Sequence, residues 1–304
     1  MKIAIIGAGA MGSLYGGYLA KAGNEVFLLD VWQEHVDAIN QQGLVIQEGE
    51  DEVKTHPQAV TSHQEIGTAD VVIVFVKSIH TGNAVKHNLN LVGENTLLLT
   101  LQNGYGNAEA MAEYVDPDKI IVGTTAQGAT LLGPGLIRHA GKGATHIGKF
   151  TGGRDAKVEN LAEMLRQAGF ETKVSEQAME MIWAKLFINV GINALTGLLN
   201  IANGQLLHCE ETLALMKLAV GEAVAVANAA GMAFDPEKVL ADVKKIAEAT
   251  GENRSSMLQD LTHQRKTEID MINGAIVTQG RLYGMDTPVN ETLTRLIKSK
   301  EHFQ

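Results

Sequence analysis

A chain of 304 residues has the length of about two domains and can bury a substantial core. Hydrophobic residues at 45% and charged residues at 20% fit a soluble globular protein, and 35 acidic against 25 basic residues give a formal charge of −10, which disfavours nucleic acid and anionic lipid as partners. The single Cys209 excludes an intramolecular disulfide and gives no metal cluster. The sequence opens without a cleavable leader pattern and no apolar run reaches bilayer-spanning length, so no membrane association is expected and a reducing cytoplasm is the expected compartment.

Lys2 to Ile6 reads as a short apolar strand that runs at once into Gly7-Ala8-Gly9-Ala10-Met11-Gly12, followed by a helical run to about Ala22. In such a unit the first glycine permits the tight turn and the second admits a pyrophosphate to the backbone. The third lets helix and strand pack, while the helix N-terminus offers N–H donors. A second strand, Glu25 to Leu29, ends in Asp30, about 20 positions beyond the glycines, where a carboxylate binds the adenosine ribose hydroxyls. A carboxylate there repels a 2′-phosphate, and Val31, Trp32 and Gln33 supply no positive charge, so NAD(H) is favoured over NADP(H). The plainer reading of Asp30 is a cap for a helix over Trp32 to Asn40.

Leu44 to Gln47 and Glu52 to Lys54 read as short β segments in a polar insertion, and Asp70 to Val76 as a continuous apolar strand ending in Lys77. The next strand, Thr96 to Leu101, ends in Gln102-Asn103-Gly104. Ligands of open parallel sheets bind beyond the carboxyl ends of the strands, so Lys77 and Asn103 are expected at the crevice that holds a nicotinamide; otherwise they are solvated loop residues. Ile120 to Thr125 continues the sheet, and Ala129 to Gly148, with Gly133-Pro134-Gly135 inside it, reads as a hairpin-like excursion. His139 and His146 fall there with no third ligand or base at useful spacing, and read as structural or exposed. A helix near Asp155 to Ala168 and a strand from Phe170 to Val174 complete this part.

From residue 175 onward no convincing strand remains. The expected fold is therefore an α/β Rossmann-type doubly wound domain, 1–174, followed by an all-α domain, 175–304. Ser175 to Asn200 reads as a long buried helix in which Lys185, Asn189 and Asn193, spaced i, i+4, i+8, form one stripe. A lysine buried among Ile182, Trp183, Leu186, Phe187 and Ile188 is costly unless it is paired or its pKa falls, which is how a proton donor is made. The stripe reads as the wall of a polar pocket; the alternative is a snorkelling lysine with asparagines that glue helices. Asn200 to Gly204 follows as a turn, and the Ala- and Val-rich helix from Glu211 to Ala230 can pack inside its domain or against a second subunit of a homodimer. Ser255 and Ser256 lie near a helix start, as carboxylate-binding hydroxyls or plain caps. Thr267 to Gly274 opens an apolar-periodic helix ending near Gly284, and Glu268 also fits a first-turn acid. Arg254, His263, Arg265 and Lys266 read as a solvated face, and Met271, Ile272, Ile276 and Val277 as core.

Taken together, the GAGAMG loop, Lys77, Gln102-Asn103-Gly104, Trp183-Ala184-Lys185-Leu186 with Asn189 and Asn193, Asn203-Gly204, Ser255 to Asp260, and Thr267 to Asp270 with Ile272-Asn273-Gly274 resemble the ketopantoate reductases. The resemblance keeps the same order over essentially the whole chain. It implies reduction of ketopantoate, a small 2-oxoacid, to (R)-pantoate on the way to pantothenate and coenzyme A. It implies Lys185 as the proton donor, and Asn103, Asn189, Asn193, Asn203 and Ser256 as substrate contacts. Gly7, Ala8, Gly9, Ala10, Met11 and Gly12, with Lys77, Asn103, Ala129 and Glu268, are the implied cofactor contacts. NADP(H) is that family's usual cofactor, and members using it typically carry a basic residue just after the second strand; Asp30-Val31 departs from the pattern. Relatives that prefer NADH include D-2-hydroxyacid dehydrogenases acting on branched 2-oxoacids, the alternative activity. A non-catalytic dinucleotide sensor has use for the glycine loop but none for Lys185 with its asparagines.

Overall fold

The structure, a computed structural model, describes residues 1–303. Cα packing divides it into two compact units, Met1–Gln102 with Asn107–Met181, and Asn103–Gly106 with the chain from Ile182 onward. The division sought at residue 175 from the change of element class thus falls at Met181, four residues inside a helix, and a four-residue segment following the Thr96 to Leu101 strand goes with the second unit.

The first unit contains β1 (Lys2–Ile6), α1 (Ala10–Lys21), β2 (Glu25–Leu29), α2 (Gln33–Gln42), β3 (Leu44–Glu48), β4 (Asp51–Thr55), β5 (Gln58–Val60), β6 (Ala69–Val74), α3 (Thr81–His87), β7 (Val92–Thr100), α4 (Asn107–Ala112) and β8 (Ile120–Thr125). It continues with β9 (Gly128–Gly133), β10 (Leu136–Gly141), β11 (Thr145–Lys149), α5 (Ala156–Gln167) and β12 (Thr172–Val174). Eight strands form one sheet in the order β12-β11-β8-β7-β6-β1-β2-β5, in which β11 runs antiparallel to β8 and the other pairs are parallel. The chain moves outward from β1 in one direction through β2 and β5 and in the other through β6, β7 and β8, so the strand order switches between β1 and β6. That switch point is where a doubly wound sheet opens its ligand crevice.

The insertion and the hairpin turn out to belong together. β3 and β4 pair with β10 and β9 in a separate four-stranded sheet, order β4-β3-β10-β9. Helix α1 lies close on it: a Cβ at Gly17 would meet the Ile46 and Leu44 side chains at 2.7 and 3.1 Å. Two strands are shorter than their apolar runs suggest. β6 stops at Val74, with Phe75 N still donating to Ile6 O, and β12 begins at Thr172 because Phe170 is used in the core, stacked on Tyr15 at 4.1 Å. His139 proves structural: its Nδ1 lies 2.8 Å from Glu48 Oε1 and its Nε2 2.8 Å from Gln127 Oε1.

Helix α6 (Ala178–Leu199) leads into the second unit, which continues with α7 (Glu210–Ala229), α8 (Pro236–Ala249), α9 (Ser256–Thr262), α10 (Asn273–Leu282) and α11 (Pro288–His302). Helix α6 starts later than Ser175, whose hydroxyl accepts from Gln177 N, and ends on Asn200 in the left-handed region, φ 55, with Ile201 N donating to Thr196 O. The expected helix over Thr267 to Gly284 is a 3₁₀ turn, Ile269–Met271, and then α10. Contrary to the length argument above, α6 and α7 do have bilayer-spanning length and a mean hydropathy of 1.4. Their apolar residues are instead the core of this unit: Trp183, Phe187, Val190 and Leu195 from α6 cluster with Met216, Val220 and Val224 from α7.

Candidate active site

In the first unit each glycine of the loop has a distinct physical role. Gly7 sits at φ +96, and a Cβ there would lie 2.7 Å from Val76 N, so the end of β1 can approach the segment after β6 only as glycine. A Cβ at Gly12 would lie 1.9 Å from Gly7 O. Gly9, in contrast, meets no atom within 4 Å of such a Cβ. Among the described residues nothing demands glycine at this position, whereas a phosphate lying on the backbone does, and the loop therefore fits a dinucleotide. Ala10 and Met11 open α1 behind it.

Asp30 has a role the sequence did not suggest, while α2 itself has Trp32 as its N-cap with no side-chain cap. Its Oδ2 accepts from Ala8 N at 2.7 Å and its Oδ1 accepts from Trp32 N at 3.0 Å, so it braces the loop and caps the following turn. Each carboxylate oxygen keeps a lone pair for a ribose hydroxyl. Val31 beside it is 96% exposed and no cation follows it before α2. Lys77 is exposed three residues past β6, and the strand end behind it is fixed by Gln102, whose Nε2 donates to Val76 O at 2.7 Å. Ala129 lies in β9 of the small sheet.

In the second unit α6 carries Lys185, Asn189 and Asn193 on one face, with the first two half-buried and Asn193 buried. Trp183, Leu186, Phe187 and Val190 around them are in the core. Burial pushes the Lys185 ammonium down to about 8, against the opposing pull of the Glu268 carboxylate. Asn103 Nδ2 donates to Glu268 Oε2 at 3.2 Å. The loop carrying Asn103 is docked here by Tyr105 N donating to Met271 O, by the Tyr105 ring lying 4.7 Å from Trp183, and by Gly104 at φ +85. The residues flanking Glu268 are tethered to α11. Thr267 donates through N and Oγ1 to Glu301 of α11, and Lys298 pairs with Asp270.

The serine alternatives separate cleanly. Ser255 is the cap: it is buried, its Oγ accepts from Leu258 N at 3.2 Å, and it lies 2.7 Å from Thr196 Oγ1 on α6. Ser256 is exposed at the first position of α9. Asn203 works as a tether, with N donating to Asn253 O and Nδ2 to Thr250 Oγ1, which leaves its buried Oδ1 without a protein partner.

Several supporting residues escaped the sequence reading. Ser13 and His35 are buried beneath the glycine loop, and the buried Asn273 and Asn290 continue to the half-buried Glu222, with Asn273 Nδ2 donating to Asn290 Oδ1 and Asn290 Nδ2 to Glu222 Oε2. A polar residue on the apolar face of an amphipathic helix, as His35 is beside Val36 and Ile39, was the available signal.

Family descriptions match both units: ketopantoate reductase PanE/ApbA over residues 3–152 and its C-terminal part over residues 177–301. The chain is 38% identical over 299 residues to a 2-dehydropantoate 2-reductase of Halobacterium salinarum, covering 98% of each chain. It is 38% identical over 301 residues to that of Pyrococcus horikoshii, covering 99% of this chain and 98% of the relative. Among solved structures, D-mandelate dehydrogenase with NADH and anilino(oxo)acetate superposes with a TM-score of 0.92 at 32% identity, over 100% of this chain and 99% of that one. A PanE/ApbA family ketopantoate reductase from Ralstonia eutropha gives 0.91 at 32% identity with the same coverage.

Proposed function

The chain belongs to the ketopantoate reductase family, nicotinamide-dependent oxidoreductases acting on a CH–OH group, and we propose that its reaction is the reduction of ketopantoate to (R)-pantoate with NADH. The observation that carries this reading is Lys185, an ammonium set among core residues with its pKa brought down to about 8. A proton donor works best when its pKa lies near the working pH. A reduced nicotinamide held by the glycine loop would supply the hydride that the ketone carbon needs. As the C=O bond opens, Lys185 stabilises the oxygen's growing negative charge and gives it the proton that completes the alcohol. Asn189 and Asn193, one and two turns along the same face, offer amides to the oxoacid, and the exposed Ser256 hydroxyl adds a donor for its polar groups.

Asp30 supports NADH over NADPH. The carboxylate is fixed by two backbone N–H groups, so it cannot swing away from a 2′-phosphate without releasing the glycine loop. A second reading, a D-2-hydroxyacid dehydrogenase for branched or aromatic 2-oxoacids, is favoured by the close superposition on D-mandelate dehydrogenase with NADH. The deciding measurement is kcat/KM for ketopantoate, 2-oxoisocaproate and phenylglyoxylate with NADH and with NADPH. Ketopantoate preferred with NADH is the expected result; a preference for either bulkier oxoacid selects the second reading, and a preference for NADPH removes the role given to Asp30.

A further inference from the structure

A line of hydrogen bonds runs beneath the glycine loop, and its directions can be read without ambiguity. Gly135 N, which can only donate, lies 3.0 Å from His35 Nδ1, so Nδ1 accepts and the ring's proton is on Nε2. Nε2 lies 3.2 Å from Ser13 Oγ and donates to it. Ser13 Oγ in turn donates a hydrogen bond to Ala8 O at 2.7 Å. On the other side of the same residue Ala8 N donates to Asp30 Oδ2. His35 and Ser13 are both fully buried, and the His35 ring is held flat against Trp32, with centroids 5.3 Å apart and planes 6° apart.

We propose that His35 and Ser13 are positioning residues for the cofactor, fixing the Ala8–Gly9 peptide so that the Gly9 N–H faces the dinucleotide before it binds. In a trans peptide the carbonyl oxygen of one residue and the N–H of the next point in opposite directions. Pinning Ala8 O inward on Ser13 therefore turns Gly9 N–H outward, and at the same residue a Cβ would meet no described atom within 4 Å. Asp30 fixes the preceding peptide through Ala8 N, so both peptides flanking Ala8 are set. A donor already aimed at a phosphate needs no reorganisation on binding, which is where such a relay contributes affinity. Burial depresses the His35 pKa, which keeps the ring in the neutral form that the Gly135 contact requires.

The inference rests on the glycine loop being the cofactor cradle, and the test separates the two. NADH is titrated by calorimetry into the full-length wild type and the variants Ser13→Ala, His35→Leu, the double variant and Gly9→Val, with kcat at saturating NADH measured alongside. The expected result is a rise in NADH Kd of about 5- to 20-fold for each single relay variant, the worth of one hydrogen bond. The double variant should be no weaker than the weaker single, and kcat should stay within about twofold, because the relay acts through one peptide. If His35→Leu fails to fold, Ser13→Ala still carries the test. Wild-type affinity in Ser13→Ala while Gly9→Val abolishes binding overturns the relay and leaves the cradle standing. Wild-type affinity in Gly9→Val overturns the cradle and the relay with it. A parallel fall of kcat and affinity in Ser13→Ala assigns the residue a general structural role and also overturns the proposal.

Discussion

Asn103 donates from its side-chain amide to Glu268 at 3.2 Å, joining residues 165 positions apart. The contact fixes the carboxylate whose field opposes the depression of the Lys185 pKa. If Lys185 is the acid in reduction, kcat/KM should be flat below about 8 and fall tenfold per pH unit above it, as the ammonium deprotonates. Glu268→Gln removes a negative charge that favours the ammonium, so the falling limb should move to lower pH. A pH–rate profile of both proteins reads the shift directly. An unmoved limb in Glu268→Gln would separate Lys185 from Glu268.

Replacing Lys185 by methionine should divide activity from stability. The folded value of about 8 lies below the ordinary lysine value of 10.5. Between those two values the unfolded chain binds more protons than the folded one, so wild-type stability rises with pH across that window. At pH 7, below both values, the wild type carries the whole cost of holding the half-buried Lys185 as an ammonium in place of the free amine. Lys185→Met removes that cost and should be more stable by up to about 3 kcal/mol at neutral pH, while reduction falls by roughly 10²-fold or more. Urea unfolding at pH 7 and pH 10 checks both the gain and its shrinkage at high pH.

The two serines offer a paired test. Ser255→Ala deletes the cap on Leu258 N and the contact with Thr196, and should cost about 1 to 2 kcal/mol of stability. Ser256→Ala touches an exposed hydroxyl and should leave the melting temperature unchanged while raising KM for the oxoacid several-fold. Thermal melts and oxoacid kinetics on the pair suffice. Equal KM in wild type and Ser256→Ala would withdraw the substrate role.

How far the sequence could be read follows from the range of the interactions involved. Local periodicity carried the parallel strands, the long Lys185 helix and the stripe of Lys185, Asn189 and Asn193, since residues four apart share a helix face whatever surrounds them. Pairing between distant segments was not legible. β3 and β10 are separated by about ninety residues, and no local pattern announces that they share a sheet apart from the main one. Ser255 and Ser256 are adjacent and chemically identical, so only the observed cap could tell structural from exposed. The bond from Ala8 N to Asp30 joins residues 22 apart, and that contact between the glycine loop and the end of β2 had no local signal.

Gly104 supplies the most direct test of how Asn103 is placed. It stands at φ +85, and a Cβ there would come within 2.3 Å of Met271 O and 2.7 Å of Met271 Cβ, while the neighbouring Tyr105 N donates to that same carbonyl. An alanine must therefore force the loop off residue 271, adding left-handed backbone strain to the lost hydrogen bond. Because Asn103 is the adjacent residue, its amide should leave Glu268 when the loop lifts. Gly104→Ala is expected to lose roughly 2 to 4 kcal/mol of stability and to lower kcat/KM by about tenfold or more. Asn103→Ala, which leaves the loop docked, should reproduce the kinetic loss with little of the loss in stability. Melting curves beside kcat/KM for the two variants give the comparison. A Gly104→Ala protein as stable and active as the wild type would mean that the loop is not held as the structure has it.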